Sequence, residues 1–446
     1  MLLKNGMVLL KDRIECVDIR VKEEKIVEIG AKLSENNDEI LDLKGLYIAP
    51  GAIDVHTHFN INVGIFSADD FKSGTTAALF GGTTTVIDHP GFGPKGCNLE
   101  YMVDKYMKYG ETAACDYSFH GVAQEIDEHT FGGLKALKAK GLNSFKIYLT
   151  YTYKQTDKEI VEFFKMAKEL DMVVAVHAEN DTMIEELRSS FIKEGKTEII
   201  YHAYSRPGDV EAEAVARLIK IAHMVGYEKL YLVHISSKEA MDEIAITKSQ
   251  GKKFFVETCT QYLYLDNTKY FEADAVKYVL SPPLREQEDI ESLWYNIKTG
   301  NIDVIATDHC SFTVEDKNKG ADDFSKCPNG IPGVEERNLI MFSEVLNKNL
   351  TVKEYLDLVA VNPAKIFGLY NRKGSIEVGK DADLVVFKAE NNKIDEKNLK
   401  SKAGYSCFNG FNVSAVIDKV ILRGNLAIDN TAQKINSQIK GKFIAR

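Results

Sequence analysis

Eight short apolar segments, separated by stretches long enough for helices, constrain the fold of this chain more than any other feature of its sequence. Each segment is flanked by turn or helical sequence, which is typical of strands in a parallel sheet. Eight parallel strands joined by crossover helices predict a closed (β/α)8 barrel of the TIM type, with functional residues at the C-terminal ends of the strands. The predicted strands lie within residues 47–58, 83–88, 116–120, 143–148, 172–177, 230–234, 253–257 and 302–308.

Both ends of the chain have a different pattern. Short strand-like runs with hairpin-like breaks fill residues 1–49, and this pattern returns after Asn362 and Pro363. Neither flank is large enough to bury much core by itself. We therefore expect residues 1–50 and 370–446 to pack together as one small β-sandwich domain, and residues 51–369 to form the barrel.

Several predicted barrel strands carry residues that bind metal ions. His56 and His58 end the first strand, and they point the same way because alternate residues of a strand share a face. Two imidazoles at the end of a rigid strand are a candidate pair of metal ligands. The further candidates are Lys146, inside the fourth strand, and His177, His234 and Asp308, which end the fifth, sixth and eighth strands. Their shared position predicts one metal site at one end of the barrel.

Composition and charge argue for a soluble enzyme of the cytoplasm. The net charge is 56 − 66 = −10 and no long basic tract occurs, which argues against nucleic acid as a partner. The N-terminal residues are interrupted by polar residues too early for a secretory signal, and no run is long enough to span a membrane. The 7 cysteines are scattered, which fits a reducing compartment.

Motifs spread along the chain narrow the interpretation. They are Gly51-Ala52-Ile53-Asp54-Val55-His56-Thr57-His58, Gly81-Gly82-Thr83-Thr84, His177-Ala178-Glu179-Asn180, Glu257-Thr258-Cys259, Ser281-Pro282-Pro283-Leu284-Arg285, Ala306-Thr307-Asp308-His309-Cys310 and Asn329-Gly330-Ile331-Pro332-Gly333-Val334-Glu335. Together they resemble the hydantoinase/dihydropyrimidinase group of the amidohydrolase superfamily, from Gly6 to beyond Gly424. Residues 58–61, 118–122 and 327–330 are most similar to the bacterial phenylhydantoinases.

The resemblance implies a binuclear metal centre. It assigns ligands to two divalent metal ions. The first ion would be held by His56, His58 and Asp308, and the second by His177 and His234. Lys146 would bridge the two ions as N6-carboxylysine, a carbamate formed with CO2, because a bare ammonium between two dications would be repelled and a buried unpaired lysine is costly. Zinc is the expected metal, and manganese or iron would also suit the carboxylate and carbamate oxygens.

The resemblance also implies a reaction, the hydrolysis of the cyclic amide bond of 5-substituted hydantoins or dihydropyrimidines to N-carbamoyl amino acids. The two metals would lower the pKa of a bridging water, and Asp308 would take its proton and deliver it to the leaving ring nitrogen. Tyr151 would hydrogen-bond the developing oxyanion. Ser281 and Asn329 would bind the amide edge of the ring, largely through main-chain groups. The implied partners are a small cyclic ureide substrate and further copies of the chain in a homotetramer.

Three alternatives stand beside this interpretation. An allantoinase would share the barrel and the metals, and allantoin is an uncharged hydantoin. Dihydroorotases usually carry an arginine after the histidine pair, whereas Phe59 and Asn60 stand there in this chain. With no cation, an anionic ring substituent would meet an apolar wall. Non-catalytic assembly proteins related to dihydropyrimidinase lose metal ligands, whereas this sequence keeps all six positions.

Substrate preference is predicted from the segments that follow two strands. We hypothesise that an apolar gate covers the ring substituent and favours an aryl hydantoin over an unsubstituted dihydropyrimidine. The gate would comprise Phe59, Ile61, Val63, Ile65, Phe66, Tyr151 and Tyr153. His89, His120 and His309 lie near strand ends without a ligand role, and we expect them to support the site or the fold.

Overall fold

The computed structural model describes residues 1–432 and 434–446, and it confirms the predicted fold class of a barrel with a small β-sandwich domain. The strands are β1 (Leu2–Leu10), β2 (Arg13–Lys22), β3 (Lys25–Gly30), β4 (Ile40–Asp42), β5 (Tyr47–Pro50), β6 (Ala52–Thr57), β7 (Thr83–Asp88), β8 (Asp116–Phe119), β9 (Gly121–Val122), β10 (Ser144–Tyr148), β11 (Val173–His177), β12 (Leu230–Leu232), β13 (Phe255–Cys259), β14 (Val304–Ala306), β15 (Leu384–Lys393), β16 (Asn412–Leu422), β17 (Asn425–Asp429) and β18 (Lys434–Ile435).

The α-helices alternate with the barrel strands, as a (β/α)8 barrel requires. They are α1 (Phe71–Phe80), α2 (Glu100–Gly110), α3 (Thr130–Ala139), α4 (Asp157–Glu169), α5 (Asp181–Lys193), α6 (Ile200–Tyr204), α7 (Gly208–Val225), α8 (Lys238–Ser249), α9 (Gln287–Lys298), α10 (Val314–Asn318), α11 (Arg337–Leu346), α12 (Val352–Leu356) and α13 (Asn362–Ile366). Among the described residues, no helix has both the length and the apolar character needed to cross a membrane.

The barrel consists of two parallel sheets that meet at both edges. Strands β6, β7 and β8 form one sheet, and β9 to β14 form the other in sequential order. The third barrel strand bends at His120, which separates β8 from β9, and the His120 N–H donates to Asp88 O at 2.9 Å. The first and last strands close the barrel, because the His58 N–H donates to His309 O at 2.8 Å. The C-terminal ends of all eight strands therefore lie at one rim.

Helix α4 illustrates how the sequence fixes the outer layer. Thr156 caps its N-terminus and forms a capping box with Glu159, an arrangement that satisfies N–H groups left free at a helix start. Ile160, Phe163, Phe164 and Ala167 are its buried residues, and their spacing places them on one face of the helix. The helix therefore packs this face against the barrel and holds the adjoining strand ends in place.

The terminal segments form one nine-stranded sheet, in the order β18-β17-β16-β15-β5-β1-β2-β3 with β4 paired to β1. The predicted single strand through residues 47–53 is wrong, because the chain leaves this sheet and enters the barrel at Gly51. Its N–H donates to Asp383 O at 2.8 Å, and a Cβ at this position would lie 2.1 Å from Thr84 Oγ1. A glycine is therefore required where the two sheets approach each other.

Buried ion pairs join the terminal sheet to the barrel. Lys373 lies between Asp116 of β8 and Asp383, which precedes β15, and Arg423 contacts Asp116 from the other side. These carboxylates surround Lys373 and raise its pKa against the effect of burial. Residues 441–446 also return to the barrel, where the Arg446 N–H donates to Gly141 O at 2.7 Å. The domain boundaries at residues 50 and 370 stay a prediction, which we retain as a proposal because β5 and β6 pair in different sheets.

Candidate metal centre and its cavity

The first group of candidate ligands lies where the first and last barrel strands meet. His56 belongs to β6, His58 follows it, and Asp308 follows β14. The Nε2 atoms of both histidines lie 3.1 Å from Oδ1 of Asp308. One ligand atom from each of the three residues lies within 4.8 Å of the others, a spacing that suits a single metal ion. The two imidazoles share a face, as the period of a strand predicts.

The second group lies on the neighbouring strands. His177 ends β11, His234 follows β12, and Nε2 of His234 lies 2.9 Å from Nδ1 of His177. The His234 ring also stacks on the His56 ring, with their centroids 5.5 Å apart. The two groups are therefore adjacent and can form one centre.

Lys146 lies in β10 and shares the cavity wall with both groups. It is 2% exposed, and its Nζ lies 5.4 Å from the centre of the Tyr148 ring. Burial lowers the pKa of Lys146 to about 8, although Asp308 and Glu257 act in the opposite direction. A larger share of its amine is therefore neutral at neutral pH than in an exposed lysine.

Glu257 supports both groups, a role that sequence reasoning did not assign. Its Oε1 lies 2.6 Å from Nδ1 of His56 and accepts the His234 N–H at 3.1 Å. Its Oε2 accepts the hydroxyl of Tyr231 at 2.8 Å. A carboxyl group on Nδ1 leaves Nε2 of His56 facing the centre as the ligand atom. The residue ends a predicted strand within a recognised motif, which is the signal that could have identified it.

Glu179 supports only the second group. Its Oε2 lies 2.7 Å from Nε2 of His177 and also contacts Arg206. Burial raises the pKa of Glu179, but Arg206 and His177 together bring it down to about 2. The residue is therefore a carboxylate that holds the His177 ring through one nitrogen and leaves Nδ1 facing His234.

Three predicted site residues have left-handed backbone conformations. The φ angles are +70° for Tyr151, +41° for His234 and +52° for Asp308. Each such conformation costs about 1–3 kcal/mol in a residue other than glycine, and these conformations concentrate at functional sites. All three residues follow the ends of barrel strands, and all three line the cavity.

One cavity of about 690 Å³ brings the predicted site residues together. Its wall includes His56, His58, Lys146, Tyr151, His177, His234, Ser281, Asp308 and Asn329. Tyr151 is 39% exposed, but its hydroxyl end is buried, and this burial raises its pKa to about 12. The Tyr151 ring also lies edge-on to the His177 ring at 5.2 Å.

The predicted apolar gate is partly wrong. Phe59 is fully buried and packs against the rings of Phe71 and His309, each at 5.5 Å, so it does not line the cavity. Phe66 is 59% exposed and also lies outside the cavity wall. The gate residues that do line the cavity are Ile61, Val63, Ile65, Tyr151 and Tyr153.

Sequence reasoning also missed part of the wall. The missed apolar and aromatic residues are Phe92, Tyr148, Cys327 and Pro328. Two cations, Lys319 and Lys326, line the cavity as well, so the expectation of a wall without a cation is wrong. Lys319 pairs with Asp316 at 2.6 Å, and both lysines lie on a long loop after β14 that no strand pattern marks.

The three other histidines near the strand ends have supporting positions, as expected. The His89 ring lies between those of His56 and His120, with centroid distances of 4.4 and 4.0 Å. His309 Nε2 lies 3.1 Å from Asp69, and its Nδ1 accepts the N–H of Gly333 at 3.2 Å. His309 therefore joins two loops directly beside Asp308.

The residues present fit a metal centre. The buried Nε2 of His56, which faces Asp308, has no hydrogen-bond partner within residues 1–432 and 434–446. Buried polar atoms are rarely left unpaired, and metal coordination would satisfy such nitrogens. Burial lowers the pKa of His56 and His234 well below the ordinary value, which keeps both imidazoles neutral, the form that binds metals.

Comparisons with known proteins agree with this site. The model of the amidohydrolase family matches residues 47–427. D-phenylhydantoinase of Escherichia coli O1:K1 / APEC is 41% identical over 431 residues, 95% of this chain and 93% of that protein. The crystal structure of dihydropyrimidinase from Brevibacillus agri NCHU1002 matches with a TM-score of 0.96 and 34% identity, covering 100% of this chain and 98% of that one. D-hydantoinase (dihydropyrimidinase) from Thermus sp. matches over the same shares with a TM-score of 0.95 and 34% identity. The chain therefore belongs to the amidohydrolase family and, within it, to the hydantoinase and dihydropyrimidinase group.

Proposed function

We propose that this protein hydrolyses the cyclic amide bond of 5-substituted hydantoins or dihydropyrimidines and releases N-carbamoyl amino acids. The observation that carries the proposal is one cavity whose wall combines metal-binding side chains with apolar and aromatic ones. The relatives named D-phenylhydantoinase and dihydropyrimidinase support the same reaction. The substrate is a small cyclic ureide whose ring meets the metal centre and whose substituent meets the apolar wall.

The metal ligands are assigned in two sets. We place the first divalent ion on His56, His58 and Asp308 and the second on His177 and His234, with Lys146 between them. Zinc suits this histidine-rich set, and manganese or iron would suit the oxygen ligands. Bound metals would supply an activated water and polarise the ring carbonyl.

Lys146 is proposed to carry a carbamate. Its neutral Nζ attacks the carbon of CO2, an N–C bond forms, and one proton is released to water. The product is an anion with two ligand oxygens in place of a cation that two metal ions would repel. The lowered pKa of Lys146 supports this step, because only the neutral amine is a nucleophile.

Asp308 and Tyr151 are proposed to act on the reacting amide. Oδ1 of Asp308 faces His56 and His58, so we assign its Oδ2 to take the proton of the attacking water. The same oxygen returns that proton to the ring nitrogen as the C–N bond breaks. The raised pKa of Tyr151 keeps its hydroxyl protonated, so it can donate to the developing oxyanion.

Ring binding is assigned to Ser281 and Asn329 through main-chain groups, with Tyr153 and Ile65 among the residues that contact the ring substituent. All four of these residues line the same cavity as the candidate ligands, which supports this assignment.

We also propose a homotetramer in the cytoplasm. The free thiols of all 7 cysteines support a reducing compartment.

A panel of cyclic ureides tests the function. Metal-loaded protein is incubated with D- and L-phenylhydantoin, dihydrouracil, allantoin and dihydroorotate, and the products are identified by mass. We expect phenylhydantoin to open fastest to its N-carbamoyl amino acid. Fast opening of allantoin or dihydroorotate alone would replace the substrate assignment. No opening of any ring by protein with both metals bound would overturn the proposed function.

A further inference from the structure

Lys317 lies behind the cavity wall, in helix α10. Its side chain is fully buried, and its Nζ donates to the carbonyl oxygens of Val279 at 2.6 Å and Pro328 at 2.8 Å. Both of these acceptors are neutral carbonyls rather than carboxylates. Burial lowers the pKa of Lys317 to about 8, so the ammonium form predominates at neutral pH and can donate to both oxygens.

The two carbonyls belong to the segments assigned to ring binding. Val279 precedes Ser281 by two residues, and Pro328 directly precedes Asn329. Ser281 and Asn329 both line the cavity, one after β13 and the other after β14. One side chain therefore connects two segments that are distant in sequence but lie together at the substrate position.

A backbone hydrogen bond completes this connection. The Gly330 N–H donates to the same Val279 oxygen at 3.0 Å. Both neighbours of Asn329 are thereby tied to the segment before Ser281, Pro328 through the Lys317 ammonium and Gly330 directly. The position of the Asn329 main chain relative to Ser281 thus depends on this small set of contacts.

The loop between α10 and Pro328 folds back toward α10 and brings the Pro328 carbonyl oxygen within hydrogen-bonding distance of Lys317. A Cβ on Gly320 would lie 2.3 Å from the Cys327 nitrogen, so the backbone at Cys327 packs directly against Gly320. The Cys327 thiol also lies 3.6 Å from the Lys317 carbonyl oxygen. An apolar side chain at position 317 would fill the space but would leave two buried carbonyls without this donor, a loss that buried polar groups tolerate poorly.

We propose that Lys317 is a positioning residue that fixes the spacing of the two ring-binding segments and thereby sets the affinity for the substrate ring. The proposal rests on the proposed function, because that function assigns Ser281 and Asn329 to the ring. Lys317 lies outside the cavity wall, so it acts through the main chain of its partners.

Steady-state kinetics of Lys317→Met and Lys317→Gln with phenylhydantoin test the proposal on metal-loaded enzyme. We expect KM to rise about 10- to 100-fold in Lys317→Met, the loss that follows removal of a hydrogen bond from a charged donor, with a smaller change in kcat. Lys317→Gln can still donate to one carbonyl, so its KM should lie between the wild-type and Lys317→Met values. Metal content should equal that of the wild type.

Lys380→Met is the matched control, because Lys380 is also a buried lysine but bonds Ser375 at 2.5 Å in the terminal segment. It should lower the melting temperature without raising KM. Amide hydrogen exchange provides a readout that does not require turnover, since the Gly330 N–H should exchange faster in Lys317→Met than in the wild type. A wild-type KM in Lys317→Met, or unchanged Gly330 exchange, overturns the proposal. Faster Gly330 exchange in a protein whose wild type opens no ureide would overturn the proposed function and leave the positioning role intact.

Discussion

The two groups of candidate ligands reach the same cavity by different routes. In the first group, His56 and His58 come from one strand, and Asp308 lies within 3.1 Å of both. In the second group, His177 and His234 come from two neighbouring strands and offer imidazole nitrogens alone, whereas the proposed Lys146 carbamate would serve both groups. The first group contains a carboxylate and is assembled by the chain alone. The second has no carboxylate of its own and would rely on the proposed Lys146 carbamate for an anionic ligand, so the same perturbation should affect the two groups differently.

The largest effect is expected from Lys146→Ala. Loss of the proposed bridging ligand should lower kcat/KM by at least about 10³-fold, the upper end of the loss caused by removing one oxyanion-hole donor, because both metals would lose a ligand. Short carboxylic acids added to the variant should restore part of the activity, because a carboxylate can occupy the vacated space and bridge in its place. Hydrolysis rates and metal content per subunit measure both effects.

Lys154→Ala is the control for this variant, because Lys154 is exposed and pairs with Asp181. It should retain wild-type activity. Near-normal hydrolysis by Lys146→Ala without any added acid would show that the second group needs no modified lysine, and the contrast between the groups would then disappear.

A smaller effect is expected from the supporting carboxylates. Glu257 contacts residues of both groups, so Glu257→Gln should weaken binding of both metals by about 10- to 100-fold, as loss of an outer hydrogen bond to a ligand does. Among the candidate ligands Glu179 contacts only His177, so Glu179→Gln should weaken the second metal alone. Competition with a chromophoric chelator measures the two affinities.

Glu336→Gln is the matched control for these two variants, because Glu336 is also buried but accepts from Ser406 at 2.5 Å. Its metal affinities should match the wild type. An equal loss of both metals in Glu179→Gln would mean that the centre responds as one unit.

The sequence predicted that the candidate ligand side chains meet at one end of the barrel because they obey simple strand rules. His56 and His58 follow the two-residue period, and His177, His234 and Asp308 stand where apolar runs end. The motif at the end of its strand could mark Glu257 but not its partners His56 and His234, because those contacts join different strands. Glu179 holds His177 from two residues along the same segment, a role that only the folded loop reveals. The left-handed backbone at Asp308 and His234 likewise could not be predicted, because residues other than glycine rarely adopt it and no local pattern marks these positions.

Phe59 shows why position along the chain was a poor guide to the gate. It follows His58 directly, yet its N–H donates to Asp88 at 2.9 Å and its ring occupies the space above Gly74. A Cβ on Gly74 would lie 2.1 Å from that ring. A glycine in helix α1 therefore admits the ring to the core, and this pairing of distant residues is visible only in the folded chain. The lysines at the cavity were missed for a related reason, because their loop has no periodic pattern.

The smallest effect is expected in the order of metal release. Asp308 adds a negative charge to the first group, whereas the second group offers neutral imidazoles, and both groups share the proposed Lys146 carbamate. Because a buried anion attracts a dication strongly, the second metal should dissociate at a several-fold lower chelator concentration than the first. Metal content per subunit, measured at increasing chelator concentration, should therefore fall in two steps. Constant bicarbonate would keep the proposed Lys146 carbamate in place throughout, and His177→Asn should show only the later step, since it would lack one proposed ligand of the second ion. Release of both metals in a single step from the wild type would show that the two groups, although assembled differently, hold their ions with equal strength.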